Sequence, residues 1–274
     1  MQLLFCPLFS GSSGNAVYVG DGETGVLVDA GVSCARIVAE LDKIGVKPEG
    51  VKALLITHEH ADHISGAGIF SRRYDVPVYA TEGTWRGMEE KIGEISPKNM
   101  RLVDASQDFF LGGMNVVPFP LPHDASEPCG YSFYLGGVKA TVATDIGCVK
   151  DGWLKAALGS DLVLLESNYD PDMLKAGKYP YALKTRILGR KGHLSNEDAG
   201  RAAAQLISGG AKTVILGHLS KENNFPELAR MTVECALRES GIDPENDASL
   251  AVASRDQMSG LYALKDGCAA RRCL

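Results

Sequence analysis

The sequence predicts an α+β chain in which two β-sheets pack face to face and helices cover the outside. Three observations lead there. Short apolar, β-branched runs gather into two strand-rich blocks, one near residues 2–29 and one near 100–144. After each block, helical and strand spacings alternate. Hydrophobic residues make up 45% of the 274, ample for a sizeable core, and no internal repeat is visible. Two sheets that each carry helices bury their apolar faces against one another.

Taken in order, residues near 2–9, 15–20 and 25–29 read as strands, with Gly20-Asp21-Gly22-Glu23 as a hairpin signal. Helical spacing follows near 33–44 and 64–74, then a short strand at Val76-Pro77-Val78-Tyr79-Ala80 and a helix near 84–92. The second block holds strands near 100–103, 108–111, 114–120, 130–135 and 138–144. Beyond it come a helix near 151–157, the strand Leu162-Val163-Leu164-Leu165, a helix at 197–208 and the strand Thr213-Val214-Ile215-Leu216. A helix at 226–240 and strands near 249–253 and 260–264 close the pattern. The run Leu3-Leu4-Phe5-Cys6-Pro7-Leu8-Phe9 is short, has no basic leader and enters a Gly/Ser turn, so it reads as a strand and not a signal peptide. No stretch approaches the roughly 18 consecutive apolar residues that a membrane span needs, so a soluble protein with no membrane partner is expected.

The chemistry concentrates in one hexad. Three of the six histidines lie in His58-Glu59-His60-Ala61-Asp62-His63, directly after the apolar run Val51-Lys52-Ala53-Leu54-Leu55-Ile56-Thr57. A buried strand would deliver these residues to its end. On extended backbone His58 and His60, two apart, point the same way. Asp62 and His63 are adjacent and serve a second ion only if the chain turns there into a helix. Four ligand-type side chains in six residues read as a binuclear metal site rather than a polar loop.

Other ligand-type residues also follow apolar runs: Asp29 after Val26-Leu27-Val28, His123 after the proline-bearing 116–122, Asp145 after 140–144, and His218 after 214–217. Singly, His123 reads equally well as a loop residue, and Asp29 or Asp145 as a helix cap or turn acid.

Lysine and arginine number 28 against 34 aspartate and glutamate, a formal net charge of −6, which argues against a general nucleic-acid coat protein. Seven cysteines, Cys6, Cys34, Cys129, Cys148, Cys235, Cys268 and Cys273, are scattered without a Cys-x-x-Cys pair. They read as reduced core and tail thiols of a cytoplasmic protein.

Asp29, the hexad, His123, Asp145 and His218 stand in the order and rough spacing of the metallo-β-lactamase superfamily's motifs, and the chain resembles that superfamily along its length. More narrowly, FSGSSGNAVYV at 9–19, PVYATEGTW at 77–85, PHDASEPCGYSF at 122–133 and ATDIGCV at 143–149 resemble the YycJ/WalJ group of bacterial proteins. So do LLESNYD at 164–170, KGHLSNEDAG at 191–200 and LGHLSKENN at 216–224. The resemblance implies a four-layer αββα sandwich formed as a single domain over 1–274. The interval from Asp145 to His218 is too short to contain a β-CASP insertion. It also implies a 5′→3′ exonuclease acting on double-stranded DNA, the activity described for that group.

Position by position, the superfamily pattern puts His58, His60 and His123 on one divalent ion and Asp62, His63 and His218 on a second, with Asp145 bridging. Asp62 thereby also enters the catalytic set, and Asp29 orients the hexad from behind. Nitrogen and oxygen ligands without thiolate suit zinc, manganese or iron. Two dications balanced by two carboxylates leave the site net positive, which favours an anionic substrate such as a phosphodiester.

A second feature favours phosphate. Between Asp172 and Glu197 the chain carries Lys175, Lys178, Lys184, Arg186, Arg190 and Lys191 and no acid. This basic patch leads into Gly192-His193-Leu194-Ser195, where Ser195 and Asp198 form a helix-start signature whose free amides would also hold phosphate. The alternative is a solvated positive loop. His193, the histidine left over, resembles the one in ribonuclease Z-like phosphodiesterases that contacts the scissile phosphate, and is expected to act as general acid. Lys221, Asn223 and Asn224 are candidates to grip phosphate oxygens, or else serve the turn. The competing function is a glyoxalase-like thioesterase or lactonase on a small anionic substrate, which would not need the basic segment.

Overall fold

Strands covered on both faces should read as unbroken apolar runs rather than alternating ones. The third strand illustrates this: Val26 and Val28 face one hydrophobic cluster while Leu27 faces another. The computed structural model describes residues 1–272. Cys273 therefore lies outside the described residues.

Among the described residues the first sheet has eight strands, in the order β15-β14-β1-β2-β3-β4-β5-β6. Its members are β1 (Leu3–Phe9), β2 (Ala16–Gly20), β3 (Gly25–Val28), β4 (Val51–Leu55), β5 (Val78–Ala80), β6 (Met100–Leu102), β14 (Leu261–Lys265) and β15 (Cys268–Arg272). The second has seven, in the order β13-β12-β11-β10-β9-β8-β7. They are β7 (Phe109–Leu111), β8 (Met114–Pro120), β9 (Cys129–Leu135), β10 (Val138–Ala143), β11 (Leu162–Glu166), β12 (Thr213–Gly217) and β13 (Ser249–Val252).

Three apolar clusters mark the three interfaces of a four-layer sandwich. One lies between the first sheet and the helices α1 (Cys34–Lys43), α3 (Ala67–Tyr74) and α4 (Glu82–Ile92), through Ile37, Leu41, Phe70 and Met88. The middle cluster joins the two sheets through Phe5, Val28, Leu55, Tyr131, Phe133 and Ile215. The third packs the second sheet against α5 (Asp151–Ala157), α8 (Asn196–Ser208) and α9 (Pro226–Glu239), through Trp153, Leu165, Leu206, Leu216 and Val233. Each fully buried side chain of this size contributes about 1.5–3 kcal/mol. The expected αββα architecture is what the layers show.

Four details differ from the sequence reading. Residues 100–102, expected in the second block, form β6 and pair in parallel with β5 at the edge of the first sheet. The helix expected over 64–74 is broken into α2 (Ala61–Ile64) and α3, because the Gly66 amide donates to Ala30 O at 2.7 Å instead of continuing the helical ladder. The basic segment is largely helical: α6 (Pro171–Ala176) and α7 (Tyr181–Leu188) form a small satellite around Leu174 and Ile187. The C-terminal tail through Cys268 forms β15, antiparallel to β14.

Candidate active site

The strands converge so that their carboxyl ends meet at one edge of the sandwich. After β4 the chain stays extended through His60 (φ −70°, ψ 148°) and then enters α2, which places Asp62 and His63 in its single turn. Asp29 follows β3, His123 lies beyond β8, Asp145 beyond β10 and His218 immediately after β12. Asp29, Asp145 and His218 share left-handed backbone, with φ of 63°, 61° and 56°. Such conformations cost about 1–3 kcal/mol each in non-glycine residues, and they turn these side chains out of the strand line toward one point.

Of four converging groups of donors among the described residues, two match the ligand sets expected from the sequence, and another joins Asp145, Glu166, His193 and His218. His58 Nε2 lies 3.0 Å from His60 Nδ1, and His123 Nε2 lies 3.3 Å from that same atom. Beside them Asp62, His63 and His218 bring ligand atoms within reach of one another, with His218 Nε2 3.4 Å and His63 Nε2 3.6 Å from Asp62 Oδ2. Asp145 faces both clusters, its Oδ2 3.2 Å from His63 Nε2 and its Oδ1 3.6 Å from His123 Nε2.

The outer nitrogens are held from behind. His63 Nδ1 donates to Asp29 Oδ2 at 2.7 Å, and Asp29 Oδ1 accepts from the Thr57 amide at 2.8 Å. The Thr57 hydroxyl donates to Asp29 Oδ2 at 2.9 Å, which leaves its oxygen to accept from His58 Nδ1 at 3.0 Å. His123 Nδ1 donates to Gly192 O at 2.9 Å. With Nδ1 so engaged, the neutral rings of His58, His63 and His123 would present Nε2 lone pairs to the centre. The lone pairs of His58 and His123 both converge on His60 Nδ1, which can donate to only one of them.

Asp145 Oδ2 is buried and has no hydrogen-bond partner. Converging lone pairs beside an unpartnered buried carboxylate oxygen fit divalent cations. The all nitrogen and oxygen donor set suits zinc, manganese or iron.

Electrostatics lead the same way. Burial, reinforced by neighbouring His63, holds His58 well below the ordinary imidazole range. Burial would depress His63 too, but Asp145, Asp29 and Asp62 outweigh it and raise its pKa well above the ordinary value. At His218 burial is likewise overcome, by Asp145, Asp62 and Glu166, and the pKa rises to about 10. Burial would raise Asp145, yet His218 and His63 hold it well below the usual carboxylate range. Without metal, protons on His63 and His218 supply the positive charge that these carboxylates require.

Glu166 was not singled out from the sequence. It ends β11, is fully buried, and its Oε1 accepts from His193 Nδ1 at 2.8 Å and from His218 Nδ1 at 2.9 Å. Its Oε2 accepts from the amides of Ile146 (2.7 Å) and Leu194 (3.0 Å). The signal was available, since a charged residue closes an apolar run just as Asp29 and Asp145 do. Glu59, inside the hexad, accepts from the Ser126 amide at 2.8 Å and hydroxyl at 2.7 Å, tying the hexad to the loop after His123.

A cleft of about 350 Å³ opens over the clusters, lined among others by Ser12, Asp62, Asp145, Arg186, His193 and His218. Of the basic segment, Arg186 is the residue among those lining it, and it is paired with Asp124 through both Nε and Nη2. Lys184, Arg190, Lys191 and Lys221 are not brought to the cleft; the Lys184 ammonium donates to Lys175 O at 2.6 Å.

Ser195, Asn223 and Asn224 are buried and are not among the residues lining the cleft. Ser195 is buried and caps α8, its Oγ accepting from the Asp198 amide at 3.1 Å, while the Asn196 amide donates to Tyr169 O. Asn224 is buried, its amide group donating to Ser167 O at 3.0 Å, Asn168 O at 3.1 Å and Asn196 Oδ1 at 2.8 Å. Asn223 is 1% exposed and bonds to Ser220 within the same turn. These amides hold the loop that carries His218. Among the described residues no helix is long and apolar enough to cross a membrane, and Cys6, Cys34, Cys129, Cys148, Cys235 and Cys268 are free thiols.

Comparison with known proteins bears on this arrangement directly. Residues 10–218, which include the hexad, His123, Asp145 and His218, match the model of the metallo-beta-lactamase superfamily. The chain is 42% identical to exodeoxyribonuclease YycJ of Bacillus anthracis, over 88% of this chain and 91% of that protein. It is 40% identical to exodeoxyribonuclease WalJ of Streptococcus pneumoniae, over 82% and 85% respectively. Among solved structures, the metallo-beta-lactamase fold protein YhfI of Bacillus subtilis superposes with a TM-score of 0.69 at 14% identity, covering 94% of this chain and 99% of that one. At that identity the likeness speaks for the fold alone. Identity of 40% and more across most of both chains is a matter of descent, so this chain belongs to the metallo-β-lactamase superfamily, in its YycJ/WalJ-like group, and is a metal-dependent hydrolase.

Proposed function

We propose that the chain is a two-metal phosphodiesterase that digests nucleic acid, as a 5′→3′ exonuclease on double-stranded DNA in the cytoplasm. The observation that carries this reading is the pair of donor clusters sharing Asp145 under a cleft that also presents His193 and Arg186. The exodeoxyribonuclease names of the two relatives support the substrate class.

In this reading His58, His60 and His123 would hold one ion and Asp62, His63 and His218 the other, with the Asp145 carboxylate facing both groups of donors. When bound, two divalent ions supply Lewis acidity, lowering the pKa of water and offsetting charge on phosphoryl oxygens. The protein's own groups do the rest. Asp29, Thr57, Gly192 O and Glu166 fix ring orientations, so that little reorganisation is needed when substrate arrives. His193 is half-buried at the cleft with Nδ1 engaged by Glu166, which leaves Nε2 to meet substrate and give its proton to the leaving oxygen. Arg186 offers a guanidinium to a phosphate, exchanging its Asp124 partner for the substrate.

The test loads purified protein with manganese or zinc and offers end-labelled duplex DNA, single-stranded DNA, RNA and a thioester in parallel. Release of nucleotides from the 5′ end of duplex DNA is expected. Turnover of the thioester alone would end the nuclease reading.

A further inference from the structure

Helix α7 presents two faces with different chemistry. Leu183, Arg186 and Ile187 point into the cleft already described. Positions 181, 184, 185 and 188 fall on another face by helical periodicity. There Tyr181 is 85% exposed and Leu188 is 47% exposed. Together with Lys175, Lys184, Thr185 and Gly189 they line a separate groove of about 550 Å³. The α7 side chains that pack on the small cluster are Leu183 and Ile187, and Tyr181 is not among them. The surroundings are cationic: Lys178, Arg190 and Lys191 are exposed at the two ends of the same helix, and no acid occurs between Asp172 and Glu197. In a chain of net charge −6 this is a local inversion of sign.

An exposed ring and an aliphatic shelf framed by lysine and arginine match the chemistry of an unpaired nucleotide strand, which offers flat base faces and phosphates at short intervals. A closed duplex hides its base faces, and a protein partner would want opposing acids over the whole patch. The geometry points to the outer face of α7 as a stacking platform for the frayed strand next to the bond being cut, with Tyr181 and Leu188 under a base and the lysines along its phosphates. This rests on the nuclease reading above for its substrate, and adds a contact outside the reacting centre. Strand and scissile phosphate then lie on opposite faces of one eight-residue helix, α7 (Tyr181–Leu188), so a strand held on the platform wraps that helix before reaching the cleft.

Two measurements on the full chain test it. In the first, the metal-loaded Tyr181→Ala/Leu188→Ala variant is assayed on bis(p-nitrophenyl) phosphate and on an oligonucleotide duplex with a frayed 5′ end. Unchanged turnover of the small diester with a KM for the oligonucleotide raised about five- to hundred-fold supports the platform, and Tyr181→Trp should preserve the wild-type KM. Equal KM values for wild type and double variant overturn it. In the second, Tyr181→Trp adds an exposed indole to a chain whose Trp85 and Trp153 are buried. Quenching of its fluorescence by oligothymidylate in metal-free protein supports stacking. Quenching or a blue shift with phosphatidylserine vesicles but not with oligothymidylate overturns it in favour of a membrane surface. Loss of the nuclease reading shows separately, as absent hydrolysis of both substrates by wild type while the indole is still quenched.

Discussion

Glu166 Oε1 is one oxygen serving two imidazoles, and this makes the roles of its partners separable. His193→Ala removes the group at the cleft but leaves Asp145, His218 and the other clustered donors untouched. Turnover should therefore fall about 10²-fold or more while metal content by elemental analysis stays at the wild-type value. Unchanged turnover would remove His193 from the mechanism. Glu166→Ala should lower both, because His218 loses the acceptor that fixes its ring; loss of such a supporting contact typically costs about 10–100-fold in metal affinity.

The same residues give a pH dependence with a defined sign. In metal-free protein the His218 pKa is raised from 6.5 to about 10, so its contribution to stability is complete below pH 6.5 and disappears as pH climbs to about 10. Asp145 is held below 3.8, so its contribution is present above that value and is lost as acid reaches the depressed pKa. Cations entering the site displace the protons on His63 and His218. Metal affinity should therefore rise with pH across the interval from 6.5 to about 10, with proton release detectable by calorimetry in buffers of different ionisation enthalpy. Affinity independent of pH would show that those protons are not in the way.

At the scale of elements, the site is made by strand ends, and this is why so much of it was legible. A buried parallel strand reads as an apolar run, and the residue that breaks the run sits at the sheet's carboxyl edge; Asp29, Asp145 and His218 were all found by this rule, and Glu166 obeys it as well. Glu166 apart, what escaped had no such periodicity. Helix α7 buries Ile187 and half-buries Leu183, and α6 is a six-residue turn between prolines and glycines, so neither carries a long apolar stripe. Asn223 and Asn224 left two readings open because sequence does not say whether an amide faces outward or ties its own loop. The break between α2 and α3 likewise depends on a tertiary partner, Ala30 O, that is distant in the chain. Close approach of these elements exposes a sensitive point at Gly31, where an added Cβ would stand 1.6 Å from Asp62 O. Gly31→Ala must push α2 away from β3, costing about 1–3 kcal/mol and spoiling the cluster that includes Asp62 and His63. Metal analysis should show that ion lost ahead of the one at His58, His60 and His123, whereas Gly50→Ala, with open space around its Cβ, should bind as wild type. Equal stability and metal content in Gly31→Ala would show that the contact relaxes without consequence.

Across the whole molecule, each proposed ion would be held by both sheets. His58 and His60 come from the end of β4 in the first sheet and His123 from beyond β8 in the second; Asp62 and His63 follow β4 and His218 follows β12. The sheets already share the apolar cluster around Phe5, Tyr131 and Phe133, so the fold does not depend on metal for its layering. What metal would add is a clamp at the edge where the buried carboxylates and imidazoles gather, beyond the hydrogen bonds that Glu59 and Glu166 already make there. Binding to the folded state stabilises it by about 4 kcal/mol when free metal is 1,000 times Kd. For a chain of this size that is a rise in Tm of roughly 10 °C. Differential scanning calorimetry should show this difference between metal-loaded and chelator-stripped protein. His193→Ala should retain the full difference, since its ring lies on the cleft side, and Asp145→Asn should lose most of it, since its carboxylate faces both clusters. A melting temperature indifferent to the chelator would mean that the two sheets meet at this edge without a shared cation, and the catalytic reading would fall with it.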